Sequence, residues 1–403
     1  MNKKHISVGE LQFGMYIAEL DRPWTETPFM FQGFHLRTDK QLEALRKFCK
    51  HVFVDAARSD PQVMLRPGAP ASTAAASAPG FRTKGTAQYP EQSRVENEIG
   101  VCAELYAQTY KALREMLQPP IDGAAVVRAI NRLADSVVRN PDALLLMSKM
   151  RKMEVAAHAR ALQVAVYMMV FGRFLQLERD QIETLGLLGL LQDVGKTRLP
   201  EALLARREEE LSAEESEMLR KHADLSAHIL GVTSGLPPKF APQALLHHER
   251  QDGTGYPRGL KGYQIGLYGS IAAICDGYDF FLAPPPSGEG RSSSAAVSLL
   301  LKDRGTAYHG PLVEQFIRCM GSFPVGTLVE LTSGEVGVVV AEHLLQRIKP
   351  KVMLVLDRAG LRVPPGRIID LAVNPALSGG EPYRIRRALE QSRLTFDPRR
   401  LFS

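Results

Sequence analysis

From about Ser93 to Met320 the apolar residues recur at spacings of three and four, as in VVRAINRLADSVV and again in LLGLLQDVG, which lines them up along one face of successive helices. That period is incompatible with a sheet for the body of the chain and predicts a mainly α fold. LSAEE marks one helix start, with Ser212 as N-cap and Glu215 three residues on forming a capping box. The longest uninterrupted apolar segment, VAVYMMVFG at 164–172, is about half of the roughly 20 residues that a membrane helix needs. It reads as a helix buried inside the fold, and no membrane association is expected.

The flanks differ. Residues 1–66 alternate short apolar stretches with turn residues, then give DKQLEALRKF with helical period and HVFVD with strand character, which predicts a small α+β domain. Residues 67–92 are rich in Pro, Ala and Ser, with no acidic side chain in PGAPASTAAASAPGFRTKGTAQYP, and are expected to form a disordered linker because such a composition buries too little surface to order itself. A helical lead-in is expected over 93–149 and the main helical domain over 150–322. In 323–375 the runs TLVELTSGEVGVVVAEH and KVMLVLDRAG are Val-rich and broken by Ser-Gly and Ala-Gly turns, which predicts a small β appendage. A basic tail at 376–403 ends the chain.

The formal net charge is +6, but residues 384–403 hold six Arg against Glu390 and Asp397, so the body is close to neutral. A nucleic-acid protein would be expected to show a basic stripe through its domain, so nucleic acid is not an expected partner. Four cysteines stand far apart without CxxC spacing, which suggests neither a disulfide framework nor a zinc ribbon and fits a reducing compartment. MNKKHISVGE has no apolar segment after its lysines, so a secretory signal is not seen and a cytoplasmic protein is expected.

Side chains able to bind metal follow one another through the helical region: Glu154 and His158, Asp193, His222, His247 with His248, then Asp276 and Asp279. Glu154 and His158 are four apart and Asp276 and Asp279 three apart, so each pair shares a helix face. Singly, each is more often an ordinary core or surface residue than a ligand. The most informative stretch is HHERQDGTGYPRGLKG at 247–262, in which two histidines, read as helical with Pro242 in the first turn, run into a loop containing Asp252, Gly253, Gly255, Tyr256 and Pro257. Its glycines would let backbone approach a ligand or a metal.

This series resembles the HD-GYP family, bacterial members of the HD phosphohydrolase superfamily that hydrolyse the second messenger cyclic di-GMP. The Gly255-Tyr256-Pro257 signature is intact, the likeness runs over 150–321, and the first sixty or so residues resemble the domain of unknown function that often precedes such modules. The resemblance implies a helical bundle with two or three divalent metals, Fe or Mn, held by Glu154, His158, position 192, Asp193, His222, His247, His248 and Asp276. Asp193 would bridge the ions, and Lys196 would lie near the scissile phosphate and act on the leaving oxygen. Asp252, Gly253, Gly255, Tyr256, Pro257 and Asp279 would belong to the substrate side. Paired metals about 3.5 to 4 Å apart suit the chemistry, since one acidifies water while both neutralise the phosphate.

Two positions depart from that pattern. Gln192 stands where the HD histidine is expected, and its amide oxygen is a weak, neutral ligand that cannot pass a proton. Losing one ligand typically weakens affinity or activity by about 10-fold to 100-fold. The basic element expected soon after Asp279 is replaced by FFLAPPPSGEGRSSS, in which Arg291 is the only cation. The first expectation is therefore a cyclic di-GMP phosphodiesterase whose conversion of substrate to pGpG or GMP is weakened or lost. The alternative is a non-catalytic signalling module that binds a diguanylate cyclase or another protein partner. Restoring Gln192→His is expected to raise metal content if the rest of the site is sound, and no increase would mean that the scaffold itself has drifted.

Overall fold

The computed structural model describes residues 3–22, 27, 29, 33–36, 39–55, 59, 81, 83–90, 93–116, 121–150, 156–206, 208–283, 291–343, 346, 348–364, 366–373, 375–376 and 382–389. The chain forms two compact units, Met1–Pro79 and Gly80–Ser403. Among the described residues no helix is long and apolar enough to cross a membrane.

The first unit is a four-stranded antiparallel sheet of β1 (Lys3–Ser7), β2 (Tyr16–Leu20), β3 (Phe34–His35) and β4 (His51–Asp55), in the order β1-β4-β2-β3, with helix α1 (Asp39–Phe48). In HVFVD every second residue is buried, so Val52 and Val54 face a core with Ile17, Leu36, Leu42 and Leu45. The expected α+β domain is present in this form.

The second unit is mainly α. Its helices are α2 (Val95–Met116), α3 (Gly123–Arg139), α4 (Pro141–Met150), α5 (Ala156–Phe174), α6 (Arg179–Leu191), the single turn α7 (Glu201–Leu204), α8 (Ala213–Arg220), α9 (His222–Val232), α10 (Gly266–Leu282), α11 (Ser293–Lys302) and α12 (Gly310–Met320). α3 starts where the Asp122 carboxylate accepts from the Ala125 N–H, and it buries the stripe Val126, Ile130, Leu133, Val137 that the sequence spells out. The segment 164–172 is buried all along α5. Gly189 brings α6 against it, because a Cβ there would come 2.6 Å from the Ala165 Cα. The capping box Ser212/Glu215 starts α8.

Three expectations need correction. The linker drawn to residue 92 ends sooner in the chain. Its first part lies outside the described residues, but Gly85 N–H donates to Leu175 O at 2.8 Å, Ala87 N–H to Gln176 O at 3.0 Å and Tyr89 Oη to Leu177 O at 2.8 Å. Backbone groups fasten 85–89 to the α5–α6 turn, and composition cannot register that kind of contact. The β appendage also continues past 375. Its antiparallel sheet contains β5 (Leu328–Leu331), β6 (Val336–Ala341), β7 (Lys351–Leu356), β8 (Ile368–Asp370) and β9 (Ile385–Leu389), in the order β8-β7-β6-β5-β9. β9 reads as tail in the sequence because it is an edge strand with an exposed, arginine-bearing middle, whose Arg386 and Arg387 pair with Glu330. The rest of the tail, 390–403, lies outside the described residues.

The third correction concerns His247 and His248. They follow a short 3-10 segment, Ala241–Leu246, and stand in a turn rather than inside an α-helix. Neighbours on an α-helix point about 100° apart. A turn frees both rings to reach one centre.

Candidate metal centre

α6 ends at Leu191, Gln192 keeps helical dihedrals, and the chain then turns through Asp193 into a 3-10 segment, Val194–Arg198. Gly195 makes this turn fit against α9. A Cβ on it would stand 2.2 Å from His222 O and 2.5 Å from Ser226 N, and its own N–H donates to Ser226 Oγ at 2.8 Å. The glycine of DVGK thus sets the approach of Asp193 to His222, the first residue of α9.

Ligand atoms of Asp193, His222, His247 and His248 all lie within 4.8 Å of one another. The two inner imidazoles are locked in tautomer. His222 Nδ1 lies 2.7 Å from Leu219 O and His247 Nδ1 lies 2.8 Å from Ala244 O. A carbonyl only accepts, so in the neutral ring each Nδ1 carries the proton and each Nε2 keeps its lone pair. Those Nε2 atoms are 3.2 Å apart and stand 3.2 and 3.4 Å from Asp193 Oδ1. Three lone-pair atoms therefore converge with no proton to share. Buried Asp193 Oδ1 and His248 Nε2 have no hydrogen-bond partner. Edges of this size are what donors about 2.1 Å from one ion subtend. The four residues fit a divalent cation, which would satisfy both of these orphaned atoms at once.

Electrostatics agree with that use. Burial pushes the Asp193 carboxyl up, but its neighbours, the Lys196 ammonium foremost, outweigh it and hold the group well below the ordinary carboxylate value. Lys196 Nζ donates to Asp193 Oδ2 at 2.7 Å, leaving Oδ1 to the histidines. Burial, then the neighbouring rings of His247 and His222, push His248 well below the ordinary imidazole value, so it too is a neutral donor.

The loop that follows builds the wall behind His248. Tyr256 stacks on the His248 ring at 4.6 Å between centroids, with the Arg220 guanidinium 5.3 Å from the tyrosine ring centre. Gly255 is required by space, because a Cβ would stand 2.3 Å from Arg250 N and 2.4 Å from His248 O. Asp252 accepts from both Thr254 N–H and Thr254 Oγ1, and Gly253 has φ +83°, so these two shape the turn that leads to the cis Tyr256-Pro257 bond. Sequence reading missed Glu249. It is 1% exposed and accepts from Arg258 N–H and Leu260 N–H, both at 2.8 Å, tying the loop across Pro257.

The remaining expected ligands are arranged differently. Glu154 lies outside the described residues, and His158, half-buried on α5, is not one of the converging four. Asp276 and Asp279 project from α10 onto Arg160 of α5, which sequence reading also missed. Arg160 Nη2 is 3.0 Å from Asp276 Oδ1 and Arg160 Nε is 3.1 Å from Asp279 Oδ2. Gln192 turns its amide nitrogen toward Asp276 Oδ1 at 3.4 Å, while its buried Oε1 accepts no hydrogen bond. Burial pushes Asp279 up to about 6, partly offset by Arg160. The signal for Arg160 is a cation two residues after His158, between the Glu154/His158 pair and the apolar run at 164–172.

Residues 3–126 match a domain of unknown function (DUF3391), and residues 143–312 match a family described as HD domain. The cyclic di-GMP phosphodiesterase PA4108 of Pseudomonas aeruginosa is 30% identical over 376 residues, 91% of this chain and 89% of that protein. The cyclic di-GMP phosphodiesterase response regulator RpfG of Xanthomonas campestris is 31% identical over 148 residues, 36% of this chain and 38% of that protein. Among solved structures, Bd1817, an HDG"Y"P protein of Bdellovibrio bacteriovorus, is similar with a TM-score of 0.47 and 14% identity over 78% of this chain and 98% of that one. A helical body with the Gly255-Tyr256-Pro257 loop behind a buried Asp/His cluster, together with near full-length likeness to a cyclic di-GMP phosphodiesterase, leads to one conclusion: the chain belongs to the HD-GYP family of HD-domain proteins, with a DUF3391 domain at its N-terminal end.

Proposed function

We propose that this protein is a metal-dependent cyclic di-GMP phosphodiesterase working at the Asp193/His222/His247/His248 centre, with turnover reduced by Gln192 and by the lack of a basic element after Asp279. The observation that supports it most directly is the convergence of His222 Nε2, His247 Nε2 and Asp193 Oδ1 with no hydrogen to share. The relatives' names supply the substrate class. Bound there, a divalent cation, Fe or Mn by its mixed imidazole and carboxylate donors, supplies a Lewis acid for water and for the non-bridging phosphate oxygens.

The chain's own groups do the rest. His222, His247, His248 and Asp193 would orient the phosphodiester by fixing the centre it meets. Lys196 steadies Asp193 in the resting site and would give a proton to the leaving ribose oxygen as water adds to phosphorus. Tyr256 and Arg220 offer an aromatic face and a cation at the rim. Arg291 is exposed and is the only cation between Asp279 and Lys302, which leaves the phosphates with little bidentate grip and supports slow turnover.

Purified protein supplied with Mn or Fe and cyclic di-GMP should form linear pGpG or GMP slowly, followed by chromatography, and Asp193→Asn should abolish it. Metal bound at the centre without any product would overturn the enzymatic reading. Retained binding of a diguanylate cyclase in that case would leave the signalling-module alternative.

A further inference from the structure

Asp276 is the residue whose surroundings fit the expected ligand series least. It is 6% exposed, and its Oδ1 is covered by two donors, Arg160 Nη2 at 3.0 Å and Gln192 Nε2 at 3.4 Å. A second cation beside Asp193 would need lone pairs at positions 192 and 276. At 192 the amide turns its N–H group toward Asp276, and the lone pair it has left, on the unpartnered Oε1, is that of a weak, neutral amide oxygen where an imidazole nitrogen is expected. At 276 the carboxylate is already neutralised. Arg160 also spans to Asp279 Oδ2 at 3.1 Å, so one planar guanidinium holds both acids of α10.

We infer that this centre is built for a single divalent cation, and that Arg160 is the resident positive charge in the place of the second. This rests on the metal centre proposed above and gives its stoichiometry. The two departures form a compensating pair. Without the HD histidine a second ion would be poorly held, and buried Asp276 and half-buried Asp279 would be left as uncompensated charges. Arg160 removes that cost because a guanidinium stays charged and needs no ligand set. The same fixed charge repels a divalent ion that tries to share Asp276. Beyond Asp276, the acids Asp279 and Asp193 also favour its charged form. Restoring a histidine at 192 is therefore insufficient to restore a pair of ions.

Elemental analysis after loading with excess Mn and gel filtration should find one ion per chain, with the electron paramagnetic resonance of an isolated Mn ion. Gln192→His should stay at one. Arg160→Ala with Gln192→His should rise to two and show an exchange-coupled pair, with circular dichroism confirming the fold. Two ions in the unaltered chain or in Gln192→His, or only one in the folded double variant, would overturn the assignment. Neither of the first two measurements alters Arg160, so they decide the matter even if the double variant fails to fold. A chain that takes up no ion would remove the metal centre itself and this inference with it, whereas two ions would remove this inference alone.

Discussion

The Nε2 atoms of His222 and His247 face each other at 3.2 Å, each made a bare lone pair by a carbonyl that fixes the proton on the far nitrogen. Without a cation the pair is electrostatically unfavourable. Loading with Mn should raise the melting temperature, by a stabilisation of about 2.7 kcal/mol at a hundredfold excess over Kd, and chelator should reverse it. In His247→Ala the metal-dependent rise should vanish; differential scanning fluorimetry with and without chelator reads both.

Glu249 ties the Pro257 loop by accepting two backbone N–H groups from a fully buried position. Glu249→Ala would orphan both donors, each costing about 1–3 kcal/mol when buried. Chemical denaturation should show a loss of about 2–6 kcal/mol. Metal titration should show affinity weakened by about 10-fold, since His248 loses the wall behind it.

Tyr256 acts through its ring, which lies between His248 and Arg220. Tyr256→Phe should leave stability within about 0.5 kcal/mol. Tyr256→Ala should lose the stacking, worth about 1 kcal/mol beyond the area buried, and loosen metal binding as well. Equal metal affinity in Tyr256→Ala and the parent chain would show that the ring does not position His248.

His248 gives the metal-free protein a pH dependence. Its folded pKa is depressed well below 6.5 by burial and by the neighbouring rings, so between those two values the unfolded chain binds more protons. Stability should therefore fall as pH drops below about 6.5 and level off above it. Asp279 acts oppositely: raised from 3.8 to about 6, it contributes stability at low pH that is lost as pH rises through 6. Melting curves from pH 5 to 8 in chelator should show the slope reduced in His248→Gln and steepened in Asp279→Asn.

Much of this was readable along the chain. The three-and-four spacing of Val126, Ile130, Leu133 and Val137 is the buried stripe of α3, and the alternation in HVFVD is the sheet face of β4. Features held by backbone hydrogen bonds were harder to see. The docking of 85–89 and the pairing of β9 leave little mark on hydropathy, because a peptide group is the same whatever residue bears it.

At the site, sequence by itself determined which kinds of donor are available and that Gln192 interrupts the series, since side-chain chemistry belongs to the residue alone. Only the tertiary structure decided how they are shared. Asp193, His222, His247 and His248 come to one point, while Asp276 and Asp279 close on Arg160. The physical reason is that electrostatic partners are chosen by distance in space. Arg160 and Asp276 lie on helices far apart along the chain, and no local pattern announces a guanidinium that the packing of α5 against α10 brings within 3.0 Å.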